Sequence, residues 1–351
     1  MPQRSLRTIL AGFLLVGGLS AAPPPNLTGY PNSMASLGDS ITRAYNTGGL
    51  PFTDAPGNSW STGTRSSVES HYSRILSAEP AILGRSFNGA ASGAKMVDLD
   101  AQAGAVIERN VAYITILMGA NDLCTRTVEG MTSVDDFGSQ FERAMATLSA
   151  GSPRARIYVV SIPNVYRLWV ILKDDLFARL IWRTFDVCRS LLEDPRSTDP
   201  DDIARRRSVR QRNIAFNTKL AEVCALYIHC RFDERAVFGD AFTAEDVSRR
   251  DYFHPSIKGQ RRLARVTWAA TFDFTDQIPP TSTATMAPAE GGTQVSIDAT
   301  DDVGVAGVEY RLDLGVWQRY AGPVLIAAGS SIRFRAVDVN GNIEATHSLA
   351  G

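Results

Sequence analysis

Short apolar runs recur along the chain, each followed by a stretch of helical periodicity. Met34 to Leu37, Val111 to Met118 (VAYITILM), Arg156 to Ile162 (RIYVVSI) and Tyr227 to Phe232 lack polar alternation and are rich in β-branched residues. Such runs suit strands covered on both faces. Ser66 to Ser77 and Phe137 to Leu148 read as helices between them. Strands alternating with helices predict a doubly wound α/β sheet. One helix start is well marked: Asp199 caps, Pro200 suits the first turn, and Asp201 and Asp202 complement the dipole. Val209, Asn213, Phe216, Leu220, Val223 and Tyr227 then share one face. Arg205, Arg206, Arg207, Arg210 and Arg212 lie near its start, and a solvated face is the expectation over contact with lipid head groups. The apolar stretch Tyr166 to Phe185 fits an acyl-chain groove and ordinary helix packing equally well.

The texture changes at both ends. Arg4 and Arg7 precede an apolar run ending in Ser20, Ala21 and Ala22, which is the layout of a secretory signal peptide over residues 1–22. Ile9 to Ala22 falls short of the ~20 residues that span a bilayer. Residues 276–292, rich in Pro, Thr, Ala and Gly, read as a linker after a catalytic domain over 32–275. Residues 293–351 show alternating strands such as Ile332 to Val337 and a hairpin signal at Asn340-Gly341, so an all-β sandwich is expected there.

Composition removes several classes. In 351 residues, 36 basic side chains face 37 acidic ones, so no electrostatic footprint marks nucleic acid as a partner. With 44% hydrophobic residues the chain is not disordered, and 4 cysteines are too few for a disulfide scaffold. Export lets them oxidise. Cys124, Cys188, Cys224 and Cys230 allow three pairings; a local Cys224–Cys230 bridge is the easiest closure, leaving Cys124 with Cys188. No C-x-x-C pair or His/Cys cluster suggests a metal.

Candidate chemistry sits in four short blocks. His71, His229 and His347 read as structural or solvated, whereas His254 lies in Asp251-Tyr-Phe-His254-Pro255, where a carboxylate can fix the imidazole tautomer and leave Nε2 as a base. Gly38-Asp39-Ser40 follows the first strand and precedes an expected helix, a place suited to a nucleophile. Gly119-Ala120-Asn121-Asp122 ends another strand and puts the Asn121 amide at the same sheet edge. Asn88 to Gly93 (NGAASG) offers a bare Gly93 N–H.

Gly-Asp-Ser, a glycine block, Gly-x-Asn-Asp and Asp-x-x-His-Pro, in this order from Ser36 to Gly259, resemble the SGNH or GDSL hydrolase family. The resemblance implies a flavodoxin-like three-layer α/β/α sandwich and an ester hydrolase without metal or cofactor. It implies Ser40 as nucleophile, His254 as base, Asp251 as its orienting partner, and Ser40, Gly93 and Asn121 as an oxyanion hole. Ser59-Trp-Ser-Thr-Gly63 and Cys124 further resemble the phospholipase B-like branch and secreted actinobacterial lipases. The tail text GVAGVEYRLDLGVWQRYAGPV and RAVDVNGN resembles immunoglobulin-like modules of secreted hydrolases. The expected protein is a secreted monomeric lipase or phospholipase acting on a lipid or other ester substrate, with a β module able to touch a surface or polymer. A polysaccharide O-deacetylase is the alternative, and an inactive binding protein a remoter one.

Overall fold

In a covered parallel strand, successive side chains enter opposite layers, and the core divides accordingly. The computed structural model describes residues 23–351, so the expected signal peptide lies outside the described residues. Strands β1 (Met34–Gly38), β2 (Ser86–Asn88), β3 (Tyr113–Leu117), β4 (Arg156–Val159) and β5 (Cys230–Phe232) form one parallel sheet in the order β2-β1-β3-β4-β5. That is the flavodoxin-like order. The chain between and after them forms α1 (His71–Ala78), α2 (Leu99–Ile107), α3 (Ala120–Leu123), α4 (Val134–Gly151), α5 (Val165–Leu172), α6 (Leu176–Thr184), α7 (Arg189–Leu192), α8 (Pro200–Cys224), α9 (Ala236–Gly239) and α10 (Ile257–Ala270). Ala35, Leu37, Ile114, Ile116, Ile157 and Val159 face one layer, with α2, α4 and α8. Met34, Tyr113, Leu117 and Tyr158 face the other, with α1 and α10. The result is the expected three-layer α/β/α sandwich.

Local chemistry sets the helices. Ser133 caps α4 by accepting from Asp136 N, and Phe137, Phe141, Ala144, Met145 and Leu148 make its buried stripe. Asp199 caps α8 as its sequence suggests, and Phe137 stacks on Phe216 of α8 at 3.9 Å between ring centroids. The arginines of α8 meet the expected solvated face only in part: Arg207 and Arg210 are exposed, whereas the other three turn to backbone carbonyls. Arg206 is buried and donates to Ser197 O, Arg205 donates to Arg189 O and Ser190 O, and Arg212 donates to Thr132 O. The segment after α6 folds back over the start of α8 and presents free carbonyls to Arg205 and Arg206, and the loop before α4 does the same for Arg212. Tyr166 to Phe185 divides. Leu168, Leu172, Ala178 and Trp182 pack inward, whereas Leu176, Phe177, Leu180 and Phe185 are exposed.

The four cysteines pair as Cys124–Cys188 and Cys224–Cys230. The first ties the end of α3 to the start of α7 across 64 residues. Among the described residues no helix is long and apolar enough to cross a membrane.

The expected linker is a strand instead. β6 (Thr281–Ala289) pairs along its length with β7 (Gly292–Thr300). Its side chains are mostly exposed and Pro288 stands on an edge strand, where a missing N–H breaks no sheet bond, so neither apolar alternation nor proline content revealed it. β8 (Val305–Leu312), β9 (Gln318–Arg319), β10 (Val324–Ile326), β11 (Ser331–Asp338) and β12 (His347–Ala350) complete two antiparallel sheets, β10-β7-β6 and β12-β11-β8-β9. Val295, Ile297, Val308, Ile326, Ile332 and Phe334 from both sheets share one core.

This module docks where β4 and β5 begin. The buried Arg156 guanidinium donates to Gly29 O, Gly341 O and Asn342 Oδ1, so the predicted Asn340-Gly341 turn is also a docking point. Burial pulls Arg156 down to about 10, and it stays charged at neutral pH. Removing the long-range disulfide with Cys124→Ser/Cys188→Ser is expected to cost about 2–4 kcal/mol of stability. Urea midpoints of oxidised wild type and variant measure it; equal midpoints would assign the bridge no part in holding α3 to α7.

Candidate active site

Two strand ends and one late loop converge at the carboxyl edge of the sheet. β1 ends at Gly38, where a Cβ would lie 2.3 Å from Leu117 O, so only glycine lets β1 run this close to the end of β3. Ser40 follows in a tight turn, not the expected helix. Arg43 N bonds Asp39 O and Tyr45 N bonds Ser40 O, but Ala44 and Asn46 take positive φ and end the coil. The Asn46 side chain is occupied elsewhere. It accepts from Phe52 N and donates to Asp251 Oδ2 at 2.5 Å.

His254 arrives on the loop before α10. Its Nε2 is 2.8 Å from Ser40 Oγ and its Nδ1 2.6 Å from Asp251 Oδ2. Asp251 Oδ1 accepts from Phe253 N and His254 N, both at 3.0 Å, so the carboxylate takes four hydrogen bonds. The Nδ1 proton is therefore fixed by its acceptor, which leaves Nε2 facing the hydroxyl. Tyr45 and Phe253 flank the imidazole at 4.9 and 5.1 Å between centroids. Burial by itself would raise Asp251. The hydrogen bond and charge of His254, with the Asn46 amide and Phe253 N–H, outweigh it and hold the carboxyl below its ordinary range. Burial pushes neighbouring Asp39 up to about 6, although Ile41 N donates to it.

Asn121 is the second residue of α3, which starts after Gly119, whose φ of 126° and closeness to Ile162 exclude a Cβ. One of its amide protons goes to Ala94 O at 2.9 Å, which sets the amide beside the Gly93 turn (φ 84°) and leaves the second proton available. Every residue singled out in the four motif blocks thus comes to one edge. The other histidines are elsewhere. His71 is fully buried, bonded to Tyr113 Oη and Thr267 Oγ1, and burial pulls it down to about 3, so it is a neutral core residue. His229 meets Glu309 of the module, and His347 meets Glu344. Asn46 escaped sequence reasoning because it lies 205 residues from Asp251 and belongs to no motif block.

An apolar pocket adjoins the serine. Ile41 next to Ser40, Ala120 next to Asn121, and Phe253 and Pro255 on either side of His254 form its near wall; Val165 and Leu168 of α5 form the far one. Asp240 and Asp246, both paired with Arg262, are its polar interruption. Among the described residues no group of three or more His, Cys, Asp or Glu is placed to hold a metal ion.

A family model described as GDSL-like lipase/acylhydrolase matches residues 34–266. No curated protein matches the chain. Solved structures similar in fold include an extracellular lipase from Streptomyces rimosus, with 16% identity over 68% of this chain and 99% of that one and a TM-score of 0.42. A family 3 carbohydrate esterase from Clostridium thermocellum shares 11% identity over 68% and 94%, with a TM-score of 0.41. A carbohydrate esterase family 3 protein from Talaromyces cellulolyticus shares 15% over 67% and 93%, with a TM-score of 0.39.

Because the Asp251 carboxyl is depressed in the folded state, its contribution to stability is complete above the unfolded carboxylate range, ~3.9, and is lost as pH falls through the lower folded value. Asp251→Asn is expected to remove that part of the acid limb. Urea midpoints compared between neutral and acid pH test this, and parallel pH curves for both proteins would refute it.

Proposed function

The chain belongs to the GDSL-like lipase/acylhydrolase family over residues 34–266, and on that premise we propose that it is a secreted serine hydrolase of lipid acyl esters. The observation that carries this reading is the hydrogen-bonded line Ser40 Oγ, His254 Nε2, His254 Nδ1 and Asp251 Oδ2, at 2.8 and 2.6 Å. Ser40 attacks the ester carbonyl as His254 takes its proton, and Asp251 stabilises the imidazolium. The Ser40 and Gly93 N–H groups and the free Asn121 amide proton receive the oxyanion. Imidazolium then protonates the leaving alcohol. A water deprotonated by His254 attacks the acyl-enzyme and releases the acid.

Lipid is favoured over acetyl by the mainly apolar lining of the pocket beside Ser40, where Ile41, Ala120, Val165, Leu168 and Phe253 come together. The exposed Leu176, Phe177 and Leu180 of α6 add an apolar surface near the His254 loop, to which α6 is tied by Trp182 Nε1 donating to Tyr252 O. The phospholipase B-like sequence texture agrees. Two disulfides and the N-terminal segment support an oxidising, extracellular setting.

Asn121→Ala is expected to lower turnover about 10²- to 10³-fold in a folded protein, and Ser40→Ala to lose both turnover and labelling by a fluorophosphonate. Unchanged turnover in either would remove that residue from the mechanism. On a panel of phospholipid, triglyceride and matched esters, medium or long acyl chains should exceed acetyl in kcat/KM, and Leu168→Trp should shift the preference towards shorter chains. A preference for acetyl would instead support polysaccharide deacetylation.

A further inference from the structure

Among the described residues the exposed phenylalanines are Phe52, Phe177 and Phe185, and all three belong to α6 and the two segments that meet beside the His254 loop, with exposed Leu50, Leu176 and Leu180 next to them. Lone exposed apolar side chains are ordinary, but a contiguous set marks an interaction surface. Helical period lays out the α6 part. Ala178 and Trp182 are buried, and Leu180 and Leu176 fall on the opposite side. Phe177 stands on one flank of that ridge, Arg179 and Arg183 on the other. Phe185, just past α6, carries the surface to the segment after the Ser40 turn, where its ring centroid lies 5.5 Å from that of Phe52.

Both parts are fastened to the loop that carries His254. Phe52 N donates to Asn46 Oδ1, and the Asn46 amide donates in turn to Asp251. From the other side Trp182 Nε1 donates to Tyr252 O at 3.0 Å. Phe253, on the same loop, lines the apolar pocket. The exposed apolar surface and the candidate active site therefore share one support.

Charge narrows the occupant. Arg179 meets the backbone carbonyl of Asp175 at 3.4 Å, and among the described residues neither it nor Arg183 forms an ion pair. The nearby acids are engaged elsewhere: Asp174 with Lys173 and Arg196, Asp186 with Arg126 and Arg189, and Asp175 as the cap of α6. On the other segment Arg250 donates to the carbonyls of Gly49 and Leu50 and places a third cation beside the apolar set. Leucine and phenylalanine flanked by arginine suit a lipid–water boundary, where the apolar side chains enter the acyl region and the cations meet anionic head groups. The chain's net charge of -1 supplies no long-range attraction, so the pull is local. A second copy fits less well, because two-fold pairing through this patch sets its unpaired arginines against themselves.

We propose that α6 and the Phe52 segment form a docking surface for an anionic lipid layer, with Leu176, Phe177, Leu180 and Phe185 entering it and Arg179 and Arg183 on its head groups. The proposal rests on the lipid-ester reading of the site and adds to it the contact that brings the serine to a substrate held in an aggregate.

The test uses the folded chain, residues 23–351, carrying Ser40→Ala, so that binding is read without turnover and without the apolar run before Pro23. Cosedimentation is measured with vesicles of phosphatidylcholine alone and of phosphatidylcholine mixed with phosphatidylglycerol. The mixed vesicles should bind more tightly, and added salt should narrow the difference. Phe177→Ser/Leu180→Ser should weaken partitioning to both vesicles about tenfold or more. Arg179→Gln/Arg183→Gln should weaken binding to the mixed vesicles by about fivefold per arginine and leave phosphatidylcholine binding unchanged. With Ser40 restored, both variants should hydrolyse a small soluble ester at the wild-type rate, and vesicle phospholipid more slowly than wild type. If the apolar pair misfolds, the arginine pair decides. Vesicle binding together with a preference for acetyl esters would keep the docking surface and overturn the substrate reading. No vesicle binding, binding indifferent to both variants, or a dimer in solution that Phe177→Ser/Leu180→Ser dissociates while vesicles go unbound would overturn the proposal, even where long-chain soluble esters are hydrolysed.

Discussion

The carboxylate of Asp251 is the constraint on which the rest of the candidate site depends. Buried against water, it is held ionised by four hydrogen bonds that come from two distant parts of the chain. Two backbone N–H groups shape its own loop. The Asn46 amide fastens that loop to the turn carrying Ser40, and His254 turns the resulting charge into a fixed tautomer. A single buried charge thus sets the relative position of segments 205 residues apart. An unpaired carboxylate at this depth would be strongly destabilising, so the loop geometry and the ionisation state require each other.

The parallel sheet separates two kinds of chemistry by its polarity. Strands β1 and β3 deliver Ser40 and Asn121 to the carboxyl edge, as expected for open α/β sheets. The amino edge is closed by the β module, through the buried Arg156 and the close approach of Gly307 to Ile228. The module therefore does not cover the serine. What it adds is a cleft shared with the catalytic domain, lined by Ser152 and His229 on one side and Glu309 and Arg311 on the other.

Legibility in the sequence followed the range of the interactions. Strands buried on both faces, the caps of α4 and α8 and the order of the motif blocks were readable, because each depends on neighbours within a few residues. Readings failed where a distant partner took over a side chain or hid a pattern. Ser40 begins a turn and not a helix, in a segment where Asn46 is recruited by Asp251. Arg205 and Arg206 of α8 were expected to face solvent with their neighbours, but carbonyls of the segment preceding the helix enclose them. The Thr- and Pro-rich stretch after Asp276 looked like a linker because an exposed edge strand buries almost nothing that alternates.

The sequence by itself determined the α/β layering, the helix caps and which short motif blocks supply the serine, histidine and asparagine of the candidate site, since apolar period, capping residues and short motifs are local properties. The tertiary structure alone decided that Asn46 completes the Asp251 carboxylate, that Ile41, Ala120, Val165 and Leu168 line one pocket, and that Ser152, His229 and Arg311 line a common cleft. Those juxtapositions arise when packed layers and a docked module bring far-apart residues together, and no spacing along the chain encodes such contacts.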